Sequence, residues 1–486
     1  MKVKALLNLG VDQAQRRQYR SAIAIFDRVL EQQPDYAKGY YNRGCARCDL
    51  GQYEDAIADF NQTLELNPTY AHAYLHRGNA YRHLGDLNAA KRDFDRSVEL
   101  SPETAKCYSS RGLLYLDLED YESALLELDQ ALALNPNLQK GYLWRGFAWL
   151  RCHQPQLAIS DLDRALALNS RCVEGYNNRG LAHYALAQYE AAQHDFDRAI
   201  ELDPKFAEAY NNRANLRADL GNIHGAMADY RQAIEIDPDL PAVYYNRAAV
   251  SSTIGDLKSA LADYDKTIGF PFEAAAAHAQ RGEIRAHLGD HAGALSDYND
   301  ALRLDPEQAN TYSNRGLIRF YAKNYPKAIE DFSQAIGLDP GYAAAYRYRG
   351  EVYLTMGNYA DAIADLDQAI QLNPFLADAY INRGRAKTQV ADQAGAISDY
   401  SRALILKPND AETYNNRGLL RFRLRDQNGA VADVNQAIKL NAGMSEAYIN
   451  RSLIRFGLGD KTGALKDLDR AMKLKHQRQD LVAAVA

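Results

Sequence analysis

The sequence predicts an all-α fold, an α-solenoid of antiparallel helix pairs. Three observations carry this. A 34-residue pattern recurs fourteen times without a gap across the 486 residues. Within each copy, apolar and small residues fall at helical spacing on two stretches, parted by a short polar or glycine-bearing turn. A proline near the end of ten of the fourteen copies, from Pro34 to Pro408, stops the second stretch and redirects the chain.

The units run 3–36, 37–70, 71–104, 105–138, 139–172, 173–206, 207–240, 241–274, 275–308, 309–342, 343–376, 377–410, 411–444 and 445–478, and a segment 479–486 follows. In the second unit the first stretch carries Tyr40, Gly44 and Leu50, and the second carries Tyr53, Ala56, Phe60 and Leu64. Gly51-Gln52 parts them. Position 20 is Ala in all fourteen units, from Ala22 to Ala464, and position 8 is Gly in eleven. Small residues at both places let two helices approach closely. Position 4 is Tyr in twelve units, which begins to explain 33 Tyr against 13 Phe and 2 Trp. One such hairpin cannot bury its own apolar face. Stacking the hairpins buries a continuous core, so the repeats should wind into a superhelix whose groove is lined by the first helices.

These columns resemble the tetratricopeptide repeat (TPR) pattern: an aromatic at position 4, small residues at 8 and 20, an aromatic or Leu at 24 and Pro near 32. The resemblance covers essentially the whole chain. It implies a right-handed superhelix. It also implies that positions 2, 5, 6, 9, 12 and 13 of each unit face the groove. Recurrent Asn-Arg-Gly, as in Asn42-Arg43-Gly44 and Asn178-Arg179-Gly180, looks similar to bacterial TPR proteins.

Two charged columns change together. Position 7 is Arg in thirteen units, from Arg43 to Arg451. Position 23 is acidic in the same thirteen, from Asp59 to Asp467. The first unit has Leu9 and Ile25 instead. Matched columns predict an Arg–acid pair joining the two helices of each repeat, rather than a ladder of arginines for an anionic ligand.

Composition narrows the function classes. The net charge is -6, with 25% charged residues, which gives no bulk reason to expect nucleic acid as a partner. Five cysteines are too few for a disulfide scaffold and fit a reducing compartment, so a cytoplasmic location is expected. No run of 18 apolar residues predicts a membrane span, and the N-terminus does not read as a signal peptide. Only ten residues lie outside the repeats, and there is no nucleophile–base–acid set or glycine-rich phosphate loop. The expectation is a protein that is not an enzyme and that takes no cofactor or metal.

Function is then sought at the groove positions. Position 6 is Asn in nine units: Asn8, Asn42, Asn178, Asn212, Asn246, Asn314, Asn382, Asn416 and Asn450. A side-chain amide both donates and accepts, so it can bond the N–H and C=O of an extended peptide. The column is similar to the asparagine ladder in the TPR part of O-linked N-acetylglucosamine transferase. The alternative is that these amides solvate the groove or bond the neighbouring helix. Trp144, Phe147 and Tyr348 are candidate aromatic anchors within apolar clusters of the groove. Position 2 is basic in the first five units, at Lys4, Lys38, His72, Lys106 and Lys140, and acidic later, at Asp378, Glu412 and Glu446. No unit has Lys or Arg at position 6. That argues against the dicarboxylate clamp of chaperone-binding TPR domains.

Other features carry weaker readings. Cys45 and Cys48 lie mid-helix, and with His76 and His83 of the next unit they could form a tetrahedral metal set. Buried thiols beside groove histidines are the plainer reading. Gly269-Phe270-Pro271-Phe272 replaces the usual unit ending, which predicts a local change of pitch. The segment 479–486 reads as a cap that starts like another first helix. It is short, leaving an apolar edge through which a homodimer could form. The expected function is a protein-interaction scaffold holding an extended peptide or partner protein. An RNA-binding helical repeat and a regulatory subunit of an enzyme complex are the alternatives.

Overall fold

The computed structural model describes residues 3–270 and 274–485. Among the described residues there are twenty-eight α-helices and no strand, in fourteen consecutive pairs. A typical pair is Ala37–Asp49 and Tyr53–Leu66. By internal packing the chain divides into two units, Met1–Asn246 and Arg247–Ala486.

Local chemistry sets the helix ends. Position 15 of every repeat has positive φ, between 56 and 90°. Seven of these residues are Gly, such as Gly51, and seven are not, among them Ala187 and Lys323. A left-handed residue closes the first helix, and the three-residue connection turns the chain back on itself. The next residue often caps the second helix. Asp86, Asp120, Asp256 and Asp290 each accept a hydrogen bond from the third helical N–H. After the second helix, a position-31 side chain accepts from the N–H two residues on, as Asn67 does from Thr69 and Asp203 from Lys205. The same turn forms at Asn169 and Asn441, where no proline follows, so proline is not its only support.

The core lies between the helices of each pair and continues into the next. Ala22, Ala56, Ala158 and their equivalents are fully buried, as are Phe26, Phe60, Phe94 and Phe196 at position 24. A methyl group added to Gly180 would sit 2.6 Å from Phe196 Cε1, which is why position 8 stays small. Successive first helices mostly pack against one another, and more closely than successive second helices. Within each unit the first helices therefore line the inner face.

Two irregularities stand out. The second helix of the eighth repeat, Leu257–Ile268, is two residues shorter than usual. The pitch change expected there falls on 271–273, outside the described residues. The last helix, Lys461–Val485, runs on without a turn, so 479–485 extends the second helix of the last repeat and does not open a new hairpin. No described helix is long and apolar enough to cross a membrane.

All thirteen Arg–acid pairs form. The closest N···O contact is 2.5–2.8 Å in each, from Arg43–Asp59 to Arg451–Asp467. The arginine side chains are 13–22% exposed and the acids 1–17%, so both partners sit largely out of water. The geometry is a fork: in the fifth repeat Arg145 Nε and Nη2 each donate to one Asp161 oxygen, at 2.7 and 2.6 Å. The hydrogen bond to Asp161 drives the Arg145 pKa upward, so the guanidinium stays charged.

The same guanidinium reaches further. Its third nitrogen crosses to the second helix of the preceding repeat, as from Arg43 to Asp27 (2.6 Å), Arg315 to Asn299 (2.7 Å) and Arg349 to Ser333 (2.9 Å). Its flank lies against the position-4 tyrosine, 5.3–5.8 Å from the ring centre in eleven repeats. Some of those tyrosines also anchor the inter-repeat turn: Tyr74 and Tyr244 donate to the carbonyls of Pro68 and Pro238. Phe could not make that bond.

Removing one partner leaves a largely buried charge without its counterion. Arg247→Leu or Asp263→Leu alone should cost roughly 3–5 kcal/mol, and the double substitution much less than their sum. Chemical denaturation of the four proteins measures the coupling. Simple additivity would contradict direct pairing.

Candidate peptide-binding groove

The position-6 asparagines stand on the first helices, but they are not equivalent. Three of them bridge repeats. Asn212 donates to Asn177 Oδ1 at 2.9 Å, Asn246 to Asn211 at 3.1 Å, and Asn450 to Asn415 at 2.8 Å. Each acceptor is a position-5 asparagine of the preceding repeat, and each is at most 7% exposed. Burying an amide without a partner is costly, so the following repeat supplies one. Asn42 instead folds back onto the Lys38 carbonyl of its own helix, at 2.7 Å.

The other members make no side-chain hydrogen bond among the described residues. Asn178, Asn314 and Asn416 are half-buried, Asn382 is buried and Asn8 is exposed. The column thus divides into bridging amides and amides with unused donors and acceptors. The sequence carried the signal for this division. Wherever position 5 is Asn, at Asn177, Asn211 and Asn415, position 6 of the next repeat is Asn as well.

The three aromatic candidates are placed against the core. Trp144 packs with Leu143 and Ala148, and the Lys140 ammonium lies 5.9 Å from its ring centre. Phe147 packs beside Leu113 and Leu116. Tyr348 stacks on Phe332 at 5.7 Å, and the Arg347 guanidinium lies 3.8 Å from the Tyr348 ring centre. The groove-position apolar side chains that stay most open are different ones. Tyr321, Leu453 and Phe456 are 71%, 53% and 64% exposed. Sequence position alone does not separate these two groups, because packing of the next helix decides.

The cysteine–histidine set does not converge. Among the described residues no three potential ligands gather about one point. His76 lies between Tyr41 and Phe60, and His83 stacks on Tyr53 at 4.7 Å. Burial, then the nearby Lys106 and His72 charges, pull the His76 pKa down to about 4. Burial pushes the Cys45 and Cys48 thiols up to about 12, far from the thiolate form that metals and disulfide chemistry need.

Two cavities open in the groove, both in the second unit and in the same register. One, of about 430 Å³, is lined by Arg385, Thr388 and Gln389 of the twelfth repeat and Asn416, Leu419 and Arg423 of the thirteenth, over Tyr400. The other, of about 410 Å³, has Ser252 and Thr253 on one side and Gln280, Glu283 and His287 on the other. Each is the gap between the ends of two successive first helices.

The two kinds of asparagine should respond differently to truncation. Asn450→Ala strands the buried Asn415 amide and should cost about 1–3 kcal/mol, whereas Asn416→Ala should cost under about 0.5 kcal/mol. Denaturation midpoints measured by circular dichroism compare them. Equal costs would contradict the division.

Comparisons with known proteins agree with this architecture. Family models described as tetratricopeptide repeat match residues 4–36, 37–70, 71–104, 105–138, 173–206, 196–228, 253–309, 314–377, 349–411 and 411–443, and one described as TPR repeat matches 214–251. No curated protein matches the chain in sequence. Among solved structures it is similar to the APC/C hetero-tetramer Cut9–Hcn1, at 17% identity and a TM-score of 0.46, over 98% of this chain and 94% of that one. It is similar to a tetratricopeptide repeat protein from Parabacteroides merdae, at 19% identity and 0.44, over 50% and 95%. It is similar to YrrB, a TPR protein, at 26% identity and 0.32, over 38% and 95%. With its repeat columns, its paired helices and family models matching from residue 4 to residue 443, the chain belongs to the tetratricopeptide repeat family.

Proposed function

We propose that the protein is a non-catalytic interaction scaffold that holds an extended peptide segment of a partner protein along its first helices. The observation that carries this is the set of amides without partners. Among the described residues Asn178, Asn314, Asn382 and Asn416 sit at one repeat position with no side-chain hydrogen bond, Asn382 buried and the other three half-buried. The repeated arginine column is consumed internally. The thirteen position-7 arginines are paired with their acids, and the bridging asparagines are paired with position-5 asparagines of the preceding repeat. A peptide backbone offers the N–H and C=O groups that such amides satisfy, at regular spacing and independent of side-chain identity.

The paired arginines also weigh against the RNA-binding alternative. An arginine forked to a carboxylate, with its third nitrogen turned to the preceding repeat, is neutralised and largely buried, so the column does not supply an electrostatic track.

Twelve-residue peptides selected against the protein from a random library test this. Asn178→Ala, Asn314→Ala or Asn416→Ala should weaken about 3–10-fold in fluorescence anisotropy those selected peptides that bind at the substituted repeat, without moving the denaturation midpoint. Methylating the peptide backbone nitrogens should weaken binding similarly. Peptides indifferent to all three substitutions and to methylation would overturn the reading.

A further inference from the structure

The cavity between the twelfth and thirteenth repeats carries more information than the ladder does. Both of its arginines lie outside the scaffold's paired columns. Arg385 is at position 9, where no other unit has Arg, and Arg423 is at position 13, where only Arg151 matches it. Arg151 lies over the Tyr121 ring, 5.3 Å from its centre. Arg423 makes no hydrogen bond or ion pair among the described residues. Among the described residues Arg385 pairs with Glu412, at 2.6 Å, and that pair is open to water at 40% and 59% exposure. An exposed pair of this kind contributes little and exchanges readily.

The remaining lining completes a receptor for an anion. Asn416 and Gln389 also have unused amides, and Leu419 and Leu420 form an apolar wall over the buried Tyr400 ring. The charge is not imposed by the scaffold. In the cavity of the same register between the eighth and ninth repeats, His287 takes the place of Arg423, and Ala249 has the repeat position of Arg385.

We propose that this cavity is a side-chain pocket for a glutamate or aspartate of the bound peptide. The inference rests on the peptide-scaffold reading above. Arg423 and Arg385 receive the carboxylate, Asn416 bonds the adjoining backbone, and the leucines cover the side-chain methylenes. A side chain is favoured over a chain terminus because the inner face continues past the pocket into the fourteenth repeat, at Asn450 and Leu453. An isolated carboxylate is favoured over a polyanion because Asp378, Glu412 and Glu446 flank the pocket at position 2. Those acids repel a continuous line of phosphates and tolerate a single charge.

The test uses the full chain and four fluorescein-labelled probes in anisotropy titrations. They are amide-capped Ala-Ser-Glu-Ser-Ala, its Gln counterpart, that Gln peptide with a free C-terminal carboxylate, and a ten-nucleotide single-stranded RNA. The Glu peptide should bind about tenfold tighter than the capped Gln peptide. Arg423→Gln should abolish that difference without changing the circular dichroism spectrum, and Arg423→Glu should reverse it, the capped Gln peptide then binding tighter than the Glu peptide. Equal binding of the capped Glu and Gln peptides would overturn the pocket and leave the scaffold reading standing. No binding of either would overturn both. A preference for the free carboxylate or for RNA over the Glu peptide would overturn the side-chain assignment.

Discussion

The structure depends on one interaction repeated thirteen times, the fork between the position-7 arginine and the position-23 acid. Each fork ties the first helix of a repeat to its second. The same guanidinium then reaches the preceding repeat and shields the position-4 tyrosine, so one side chain fixes the hairpin, the stacking and the turn. Ala at position 20 and a small residue at position 8 bring the helices close enough for this reach. The energy of such a pair lies less in its formation than in the penalty for breaking it, because two desolvated charges satisfy each other. That asymmetry favours one register of stacking over any slipped one.

Function follows from what the fork removes. Thirteen of the protein's cations are committed to the scaffold, so they are withdrawn from the ligand recognition proposed for the inner face. What remains is amides, a few apolar side chains and isolated charges such as Arg423. The bridging asparagines show the same economy on a smaller scale. A position-5 Asn creates a buried need, and the next repeat meets it with a groove residue that is then less available to a ligand.

Much of this was legible in the sequence because repetition turns one weak signal into many. A single Arg–acid pair sixteen residues apart would mean little. Thirteen matched pairs, with both partners missing from the first unit, identify the contact. The helix pairs, the turn at position 15 and the buried Ala column were read for the same reason. What the sequence left open was non-repeating. Trp144 and Tyr348 occupy groove positions, yet the neighbouring helices cover part of each ring. Tyr321 and Phe456 occupy similar positions and stay open. Such differences depend on the packing of one particular junction, which no column average records. The pocket at Arg423 is of this kind, since it is built from departures from the repeat.

The central claim is that the arginine column belongs to the scaffold and is closed to ligands. Arginine-directed modification by phenylglyoxal, read residue by residue by mass spectrometry on the native protein, tests it most directly. The account predicts that Arg43, Arg179, Arg315 and their equivalents resist modification while Arg423 reacts readily. Modification of the column at the rate of Arg423 would contradict it.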